Sequence, residues 1–219
     1  MNEITLTIDD KTITAPEGEK ILWAALANGI YIPNLCAIHD ATEQPASCRL
    51  CFVEVEGIDE PVTACTESVK EGMVIHTRSP LVLRLARTSA ELLLASHPVD
   101  CGHCLKSRSC ELLKIAKHLG IKLKATRLRR QEKKLPVDES SSLFTYDPNK
   151  CVLCGRCVWM CREKLQIGAI GFTWRGFKRM VSTFQGKPLA ESRCNQCAEC
   201  VKVCPVGAMA FKTNPNPSV

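Results

Sequence analysis

The residues best suited to chemistry in this sequence are its cysteines, of which the 219-residue chain contains 15. They fall into four groups separated by long stretches without cysteine. The groups are Cys36, Cys48, Cys51 and Cys65; Cys101, Cys104 and Cys110; Cys151, Cys154, Cys157 and Cys161; and Cys194, Cys197, Cys200 and Cys204. Thiols grouped in this way serve either disulfides or metal sites.

The rest of the sequence favours metal sites over disulfides. The first 20 residues are polar and acidic, so we expect no signal peptide, and no apolar run approaches the length that spans a membrane. We therefore expect a cytoplasmic protein, in which thiols stay reduced and serve metal binding or catalysis. The odd number of cysteines also suits a disulfide framework poorly.

The last two groups repeat one spacing, C-x2-C-x2-C-x3-C, with Pro205 directly after the second copy. Bacterial ferredoxins with two [4Fe–4S] clusters carry this run, and the fourth cysteine of each run ligates the other cluster. The alternative is a pair of four-cysteine zinc sites, but zinc rarely uses three cysteines at two-residue gaps. The predicted ligand sets are Cys151, Cys154, Cys157 and Cys204 for one cluster, and Cys161, Cys194, Cys197 and Cys200 for the other.

The first group has the spacing C-x11-C-x2-C-x13-C. Plant-type [2Fe–2S] ferredoxins use C-x4-C-x2-C and a distant cysteine, so the long first gap departs from their pattern. The string SCRLCFVEVEG nevertheless favours a [2Fe–2S] cluster held by Cys36, Cys48, Cys51 and Cys65, with a four-cysteine zinc site as the alternative. Arg49 either donates to cluster sulfurs or faces solvent.

The second group, in the string HPVDCGHCLKSRSC, offers only three cysteines, whereas a [4Fe–4S] cluster needs four ligands. His97, four residues before Cys101, could supply the fourth ligand, and His103 and Asp100 compete with it. A redox dithiol is a further alternative, because Cys-Gly-His-Cys also occurs in thioredoxin-class proteins. Those proteins place the motif between a strand and a helix, whereas a long predicted helix and His-Pro precede it here.

The elements that must position these groups are predicted to form an α+β fold in separate modules. Alternating apolar residues predict strands at 4–8, 12–14, 52–55 and 73–77, and Asp10-Lys11 between the first two predicts that they form a hairpin. Helices are predicted at 19–28, which Gly29 ends; at 80–96, which Ser79 caps; and at 109–118. The predicted modules are a β-grasp [2Fe–2S] domain at 1–78, a small helical [4Fe–4S] domain at 79–120, a basic linker at 121–142 and a two-[4Fe–4S] ferredoxin-like domain at 143–219, of which 213–219 form a flexible tail.

Positive charge is concentrated in residues 111–135, which hold nine Lys or Arg against two acids in a chain of net charge +6. This segment is either a solvated surface or a docking site for an acidic partner, such as ferredoxin. Nucleic-acid binding is disfavoured, because no aromatic residues are interleaved with these charges.

The order of these motifs resembles that of one protein family. The sequence contains C…CRxC…C, then H-x3-C-x2-C-x5-C, then a two-[4Fe–4S] module. This order is similar to that in the N-terminal regions of the complex I large iron–sulfur subunit and of multi-cluster [FeFe]-hydrogenases. It is also similar to the short diaphorase subunit of NAD-reducing [NiFe]-hydrogenases, which the chain resembles most. The resemblance covers residues 1 to about 212 and gives all 15 cysteines a place. It implies that His97 ligates a [4Fe–4S] cluster with Cys101, Cys104 and Cys110.

The sequence contains no G-x-G-x-x-G, P-loop or H-E-x-x-H motif, so we expect no catalytic centre of its own. NADH gives up two electrons as a hydride, so a partner carrying FMN must convert them to single electrons. The resemblance therefore implies an electron-transfer subunit, with one [2Fe–2S] and three [4Fe–4S] clusters, between a flavin- and NAD(P)-binding subunit and a catalytic hydrogenase subunit. Alternatives are the same role in an NAD-dependent formate dehydrogenase or electron-bifurcating complex, a free multi-cluster ferredoxin, or a zinc-bound scaffold or redox sensor.

Overall fold

The computed structural model describes residues 2–124 and 127–212, so the predicted tail at 213–219 lies outside the described residues. These residues form two compact units. The first unit contains the described chain up to Glu91 together with Ile115–Ile121, and the second contains Leu92–Lys114 with the described chain from Lys122 onward. The division into four modules made from the sequence stays a prediction.

The described residues contain short strands and helices joined by long loops. The strands are β1 (Glu3–Ile8), β2 (Lys11–Pro16), β3 (Phe52–Val55), β4 (Val62–Thr63), β5 (Val74–His76), β6 (Phe144–Tyr146), β7 (Ile170–Thr173), β8 (Met180–Thr183) and β9 (Met209–Phe211). The α-helices are α1 (Ile21–Ala27), α2 (Pro80–Ala95), α3 (Glu111–His118), α4 (Arg156–Trp159) and α5 (Glu199–Val203). A π-helical turn at Met160–Lys164 continues α4.

The first unit is built on a mixed sheet whose strands, within the described residues, lie in the order β2-β1-β5-β3-β4. Strands β1 and β2 form the predicted hairpin, and Asp9 and Asp10 turn it with φ angles of +48° and +65°, as a two-residue hairpin turn of type I′ requires. Strand β5 pairs parallel to β1 and antiparallel to β3. This arrangement of a few strands with one helix agrees with the sequence prediction for this region.

Helix α1 buries an apolar face in the core of the first unit. Ile21 and Leu22 are fully buried and belong to the same core cluster as Leu6, Val53 and Ile75. Gly29 follows the helix with a φ of +74°, the left-handed conformation expected of a residue that ends a helix. The first unit therefore has an aliphatic core of its own.

Helices α2 and α3 agree with the sequence prediction within a few residues at their ends. Ser79 precedes α2, and its hydroxyl accepts a hydrogen bond of 3.2 Å from the Val82 N–H, so it caps the helix with Pro80 in the first turn. No helix in the described part of the chain is both long and apolar enough to cross a membrane.

The second unit contains two short antiparallel pairs, β6 with β9 and β7 with β8. Residues 135–138 of the segment 121–142, which is predicted as a basic linker, pack within this unit. The Leu135 N–H donates to Asn149 Oδ1, and Asn149 Nδ2 donates back to the Leu135 carbonyl, each at 2.8 Å. Asp138 then pairs with Tyr146 of β6. This packing brings the basic segment close to the cysteine loops.

Candidate iron–sulfur sites

The first cysteine group is buried in the first unit and is divided into two pairs. Cys36 Sγ and Cys48 Sγ are hydrogen-bonded at 3.4 Å, far longer than the S–S bond of a disulfide, about 2.05 Å. Cys51 and Cys65 form the second pair, and their thiols are also hydrogen-bonded to each other. Two pairs of thiols suit a [2Fe–2S] cluster, because its four protein ligands are shared between two irons.

The close approach within each pair favours one thiolate. Hydrogen bonding with the Cys48 thiol lowers the pKa of Cys36 to about 5 and raises the pKa of Cys48. Hydrogen bonding likewise lowers the pKa of Cys65 and raises the pKa of Cys51. The Cys48 N–H donates to Cys36 Sγ at 3.5 Å, an interaction that stabilises a thiolate. Since the thiolate is the form that binds metal, these pairs fit a metal cluster.

The cysteines of the two C-terminal runs line two cavities. One cavity of the second unit is lined by Cys151, Cys154, Cys157 and Cys204. A second cavity is lined by Cys161, Cys194, Cys197 and Cys200. Each cavity therefore combines three cysteines of one run with the last cysteine of the other.

The two runs also share one backbone conformation. Leu153 and Gln196, each two residues after the first cysteine of its run, have φ angles of +56° and +57°. The Leu153 N–H donates to Cys151 Sγ and the Gln196 N–H donates to Cys194 Sγ, both at 3.4 Å. Directly after the second cysteine of each run, Gly155 and Ala198 are again left-handed. Successive N–H groups presented in this way form a concave anion site, which suits a cluster with negative charge.

Burial disfavours the ionised form of the thiols in these cavities, so they stay protonated unless they bind a metal. Burial raises the pKa of Cys154 to about 12 and that of Cys200 to about 12. It raises the pKa of Cys157 as well, and the neighbouring Cys200 contributes to that increase. Metal binding would release these protons and couple cluster insertion to folding.

Among the described residues, no three His, Cys, Asp or Glu side chains converge closely enough to hold a single metal ion. A zinc site would bring four ligand atoms within about 2.0–2.3 Å of one ion. Ligands of an iron–sulfur cluster bind different irons and therefore lie farther apart.

The second cysteine group lies in the loop between α2 and α3, within the second unit. His97 Nδ1 is 3.0 Å from the carbonyl oxygen of Lys150, so Nδ1 carries the proton that makes this bond and leaves the Nε2 lone pair available. Burial lowers the pKa of His97, which favours the neutral imidazole that a metal ligand needs. His103, one of the predicted competitors, is instead exposed and bonded to the carboxylate of Asp100 at 2.9 Å.

Cys110 directly precedes α3 and is half-buried. Burial is the main cause of its raised pKa, and the charges of Cys104 and Cys101 add to the increase. Cys104 in turn lies against the loop that follows Cys204. A Cβ atom added to Gly207 would lie 2.5 Å from Cys104 Sγ. This group therefore borders the cavity lined by Cys204, and Gly207 makes the close approach possible.

Lys133 belongs to the site although its position in the sequence gave no sign of it. Its ammonium group is half-buried and donates a hydrogen bond of 2.7 Å to the carbonyl oxygen of Cys151. Tyr146, from β6, lines the cavity of Cys151, and its hydroxyl donates to the Val181 carbonyl at 2.8 Å. Both side chains contact residues that are far from them in the sequence, and the spacing of the cysteines does not reveal such contacts.

Comparisons with known families agree with this geometry along nearly the whole chain. The family described as "2Fe-2S iron-sulfur cluster binding domain" matches residues 1–80. "NADH-ubiquinone oxidoreductase-G iron-sulfur binding region" matches residues 87–124. "NADH-quinone oxidoreductase subunit 3, ferredoxin-like domain" matches residues 141–210. The chain therefore contains ferredoxin-like domains of both the 2Fe-2S and the 4Fe-4S type in a mixed α/β fold, as predicted.

Curated relatives share this region as part of longer proteins. The chain is 39% identical to the NADP-reducing hydrogenase subunit HndD of Solidesulfovibrio fructosivorans over 95% of its own length and 36% of that protein. It is 36% identical to the NADPH-Fe(3+) oxidoreductase subunit alpha of Geobacter sulfurreducens, over 95% of its own length and 24% of that protein. The chain thus spans about a third of the length of the first relative and about a quarter of the length of the second.

A chain of known structure matches this protein over almost the whole length of both chains. A chain in the crystal structure of an NAD+-reducing [NiFe]-hydrogenase in the H2-reduced state superposes with a TM-score of 0.85 at 30% identity. The match covers 98% of this chain and 90% of that chain. The chain accordingly belongs to the family of iron–sulfur electron-transfer subunits that includes this hydrogenase chain and the matching iron–sulfur region of NADH-quinone oxidoreductases.

Proposed function

We propose that this protein carries electrons between a flavin- and NAD(P)-binding subunit and a catalytic hydrogenase subunit in a cytoplasmic complex. When bound, iron–sulfur clusters supply one-electron chemistry at low potential. The observation that carries the proposal is the continuity of the three ligand groups in the second unit. The group of His97 borders Cys204 through Gly207. Helices α4 and α5, which carry Cys157 and Cys200, pack against each other.

The ligand groups support one [2Fe–2S] and three [4Fe–4S] clusters. The proposed sets are Cys36, Cys48, Cys51 and Cys65 for the [2Fe–2S] cluster; His97, Cys101, Cys104 and Cys110; Cys151, Cys154, Cys157 and Cys204; and Cys161, Cys194, Cys197 and Cys200 for the [4Fe–4S] clusters. We assign the surrounding modules to a β-grasp domain, a small helical domain and a bacterial two-cluster ferredoxin-like domain.

His97 is proposed to bind through Nε2, because the Lys150 carbonyl holds the proton on Nδ1. A second hydrogen bond of this kind is the usual means by which a protein orients a metal-binding imidazole. A neutral imidazole in place of a thiolate removes one negative charge from the ligand set. We therefore expect this cluster to have a higher potential than an all-cysteine cluster in the same surroundings.

The proposed partners rest on the relatives. The hydrogenase chain, of which the match covers 90%, favours a subunit of an NAD-linked hydrogenase complex. The Geobacter relative, named as an NADPH-Fe(3+) oxidoreductase subunit, favours as a second candidate the same role with a different terminal acceptor. In either case the FMN and NAD(P) sites would lie on a partner.

Iron analysis and EPR of the dithionite-reduced protein test the cluster content. About 14 irons per chain are expected from the ligand groups, and a zinc-only protein would contradict the proposal. Purification of the tagged chain from its native host tests the partners. Co-elution with a flavoprotein and NAD(P)H-dependent reduction of the clusters are expected, whereas a monomer that no flavoprotein reduces would favour a free ferredoxin.

Substitution tests the fourth ligand separately. His97→Ala should remove or alter the EPR signal of one [4Fe–4S] cluster and leave the other signals unchanged. His103→Ala is the matched control, since His103 is exposed and bonded to Asp100, and it should leave all signals unchanged. Identical spectra for His97→Ala and the wild type would exclude His97 as a ligand.

A further inference from the structure

The tip of the β7–β8 hairpin carries an exposed cluster of aromatic and basic side chains. The tip, residues 174–179, has the sequence WRGFKR. Trp174 is 74% exposed and Phe177 is 97% exposed. Arg175, Lys178 and Arg179 are also exposed, and the stretch 165–190 contains no acidic residue. Single exposed apolar side chains are common, whereas a cluster of them more often marks a binding site.

The backbone holds this tip in a defined conformation. Strands β7 and β8 pair from Ile170–Thr183 to Thr173–Met180. Within the tip, the Lys178 N–H donates to the Arg175 carbonyl at 3.3 Å and the Arg179 N–H donates to the Gly176 carbonyl at 3.1 Å. A preordered loop loses little conformational entropy when it binds a partner. The tip is thus presented as a rigid surface.

The hairpin is anchored beside both C-terminal cysteine cavities. Ala169, directly before β7, donates its N–H to Cys161 Sγ at 3.3 Å, and Ile170 lines the same cavity. Two residues further, ring atoms of Phe172 lie 3.5 Å from the Cβ position of Gly155, in the loop between Cys154 and Cys157. Arg179 of the tip stacks 4.0 Å above the Phe172 ring. A molecule bound to the tip would therefore sit next to the proposed cluster ligands.

We propose that the tip is a docking site for an acidic electron-transfer protein, whose carboxylates face Arg175, Lys178 and Arg179 and whose apolar pocket receives Trp174 and Phe177. This inference rests on the proposed electron-transfer function. Trp and Arg dominate the binding energy of many protein interfaces, and complementary charge accelerates association. Anionic membranes and nucleic acids attract similar loops, but neither would use the position of the tip beside the cysteine cavities.

Electron transfer to two probes of opposite charge tests the docking site. The reduced, cluster-loaded protein is mixed anaerobically at low salt with an acidic flavodoxin or with a basic cytochrome c. The wild type should reduce flavodoxin at a rate that falls as salt is added. The variant Arg175→Glu/Lys178→Glu/Arg179→Glu should slow flavodoxin reduction by about tenfold or more and accelerate cytochrome c reduction.

A matched variant controls for net charge. Lys70→Glu/Arg78→Glu/Arg84→Glu makes the same change of charge at exposed residues of the first unit that lie outside the basic segment 111–135, and it should leave the flavodoxin rate within about twofold of the wild type. Trp174→Ser/Phe177→Ser should slow flavodoxin reduction without changing its salt dependence. Reduction of methyl viologen, a small acceptor, should be the same in all variants.

The outcomes separate this inference from the proposed function. A wild type that lacks clusters, or that reduces none of the acceptors, would contradict the proposed function itself. Intact clusters with equal flavodoxin rates in the tip variant and the control variant would overturn the docking site alone. Binding of the tip to phosphatidylglycerol vesicles or to a single-stranded oligonucleotide, with flavodoxin rates unchanged by the tip variant, would also overturn it.

Discussion

The half-buried charge of Lys133 offers the most direct test of how this chain tunes a cluster. Its ammonium group donates a 2.7 Å hydrogen bond to the Cys151 carbonyl, so it lies beside one ligand of the proposed cluster of Cys151, Cys154, Cys157 and Cys204. A cation at this position favours the reduced cluster, which carries one more negative charge. Lys133→Met keeps the length of the side chain but removes the charge, so it should lower the potential of that cluster.

The magnitude follows from Coulomb's law. At a separation of roughly 7 Å and an effective dielectric constant of about 20, one unit charge contributes about 2.4 kcal/mol. For a one-electron couple this free energy corresponds to about 100 mV, because about 59 mV changes the equilibrium tenfold. Lys133 is only half-buried, and solvent screening reduces the effect, so we expect a fall of about 30–100 mV.

Redox titration followed by EPR measures this shift. Lys134→Met is the matched control, because the neighbouring side chain is 83% exposed and its ammonium lies 3.8 Å from the Glu132 carboxylate. The control should change each potential by less than about 10 mV. The reasoning would be refuted if Lys133→Met raised the potential, shifted all clusters equally, or moved no potential more than the control does.

Three further changes should have distinct effects. Gly207→Ala places a Cβ 2.5 Å from Cys104 Sγ and should prevent one [4Fe–4S] cluster from assembling, so that iron analysis finds about four irons fewer per chain. Gly102→Ala, whose Cβ meets nothing within 4 Å, should keep the iron content of the wild type. Ser79→Ala removes the cap of α2 and should destabilise the protein by about 1 kcal/mol, measured as a lower melting temperature. Removing iron with a chelator should abolish hydrogen-exchange protection in the second unit, while the aliphatic core around Leu6 and Ile75 keeps the first unit protected.

Local spacing predicted those parts of the molecule that are governed by local geometry. The hairpin at Asp9 and Asp10, helix α1 and the cap at Ser79 all depend on residues within a few positions of one another. The exchange of Cys161 and Cys204 between the two cavities was also predictable, because the loop of each run holds its first three thiols together. The ligand sets themselves stay predictions until the metal content is measured.

The basic segment shows why other parts could not be predicted. Nine positive charges in residues 111–135 indicate a surface, yet Lys133 turns inward because Leu135 and Asn149 exchange hydrogen bonds across 14 positions of sequence. Tertiary contacts of this kind depend on the whole chain. The aromatic and basic tip at 174–179 was likewise hidden, since exposure of an aromatic side chain is a property of the folded molecule.

The short segment from Cys204 to Gly207 explains how two ligand groups come to lie next to each other in the second unit. Cys204 lines the first cavity, while the carbonyl of Pro205 accepts a 2.9 Å hydrogen bond from the Glu111 N–H at the start of α3. That bond fixes the residue directly after Cys110, and Gly207 lies against Cys104 on the same side. Proline, which needs no N–H partner here, and glycine, which leaves room for a sulfur atom, each suit the contact they make. A single loop thus sets the spacing between two proposed clusters, so a substitution there should alter electron transfer between them even when both still assemble.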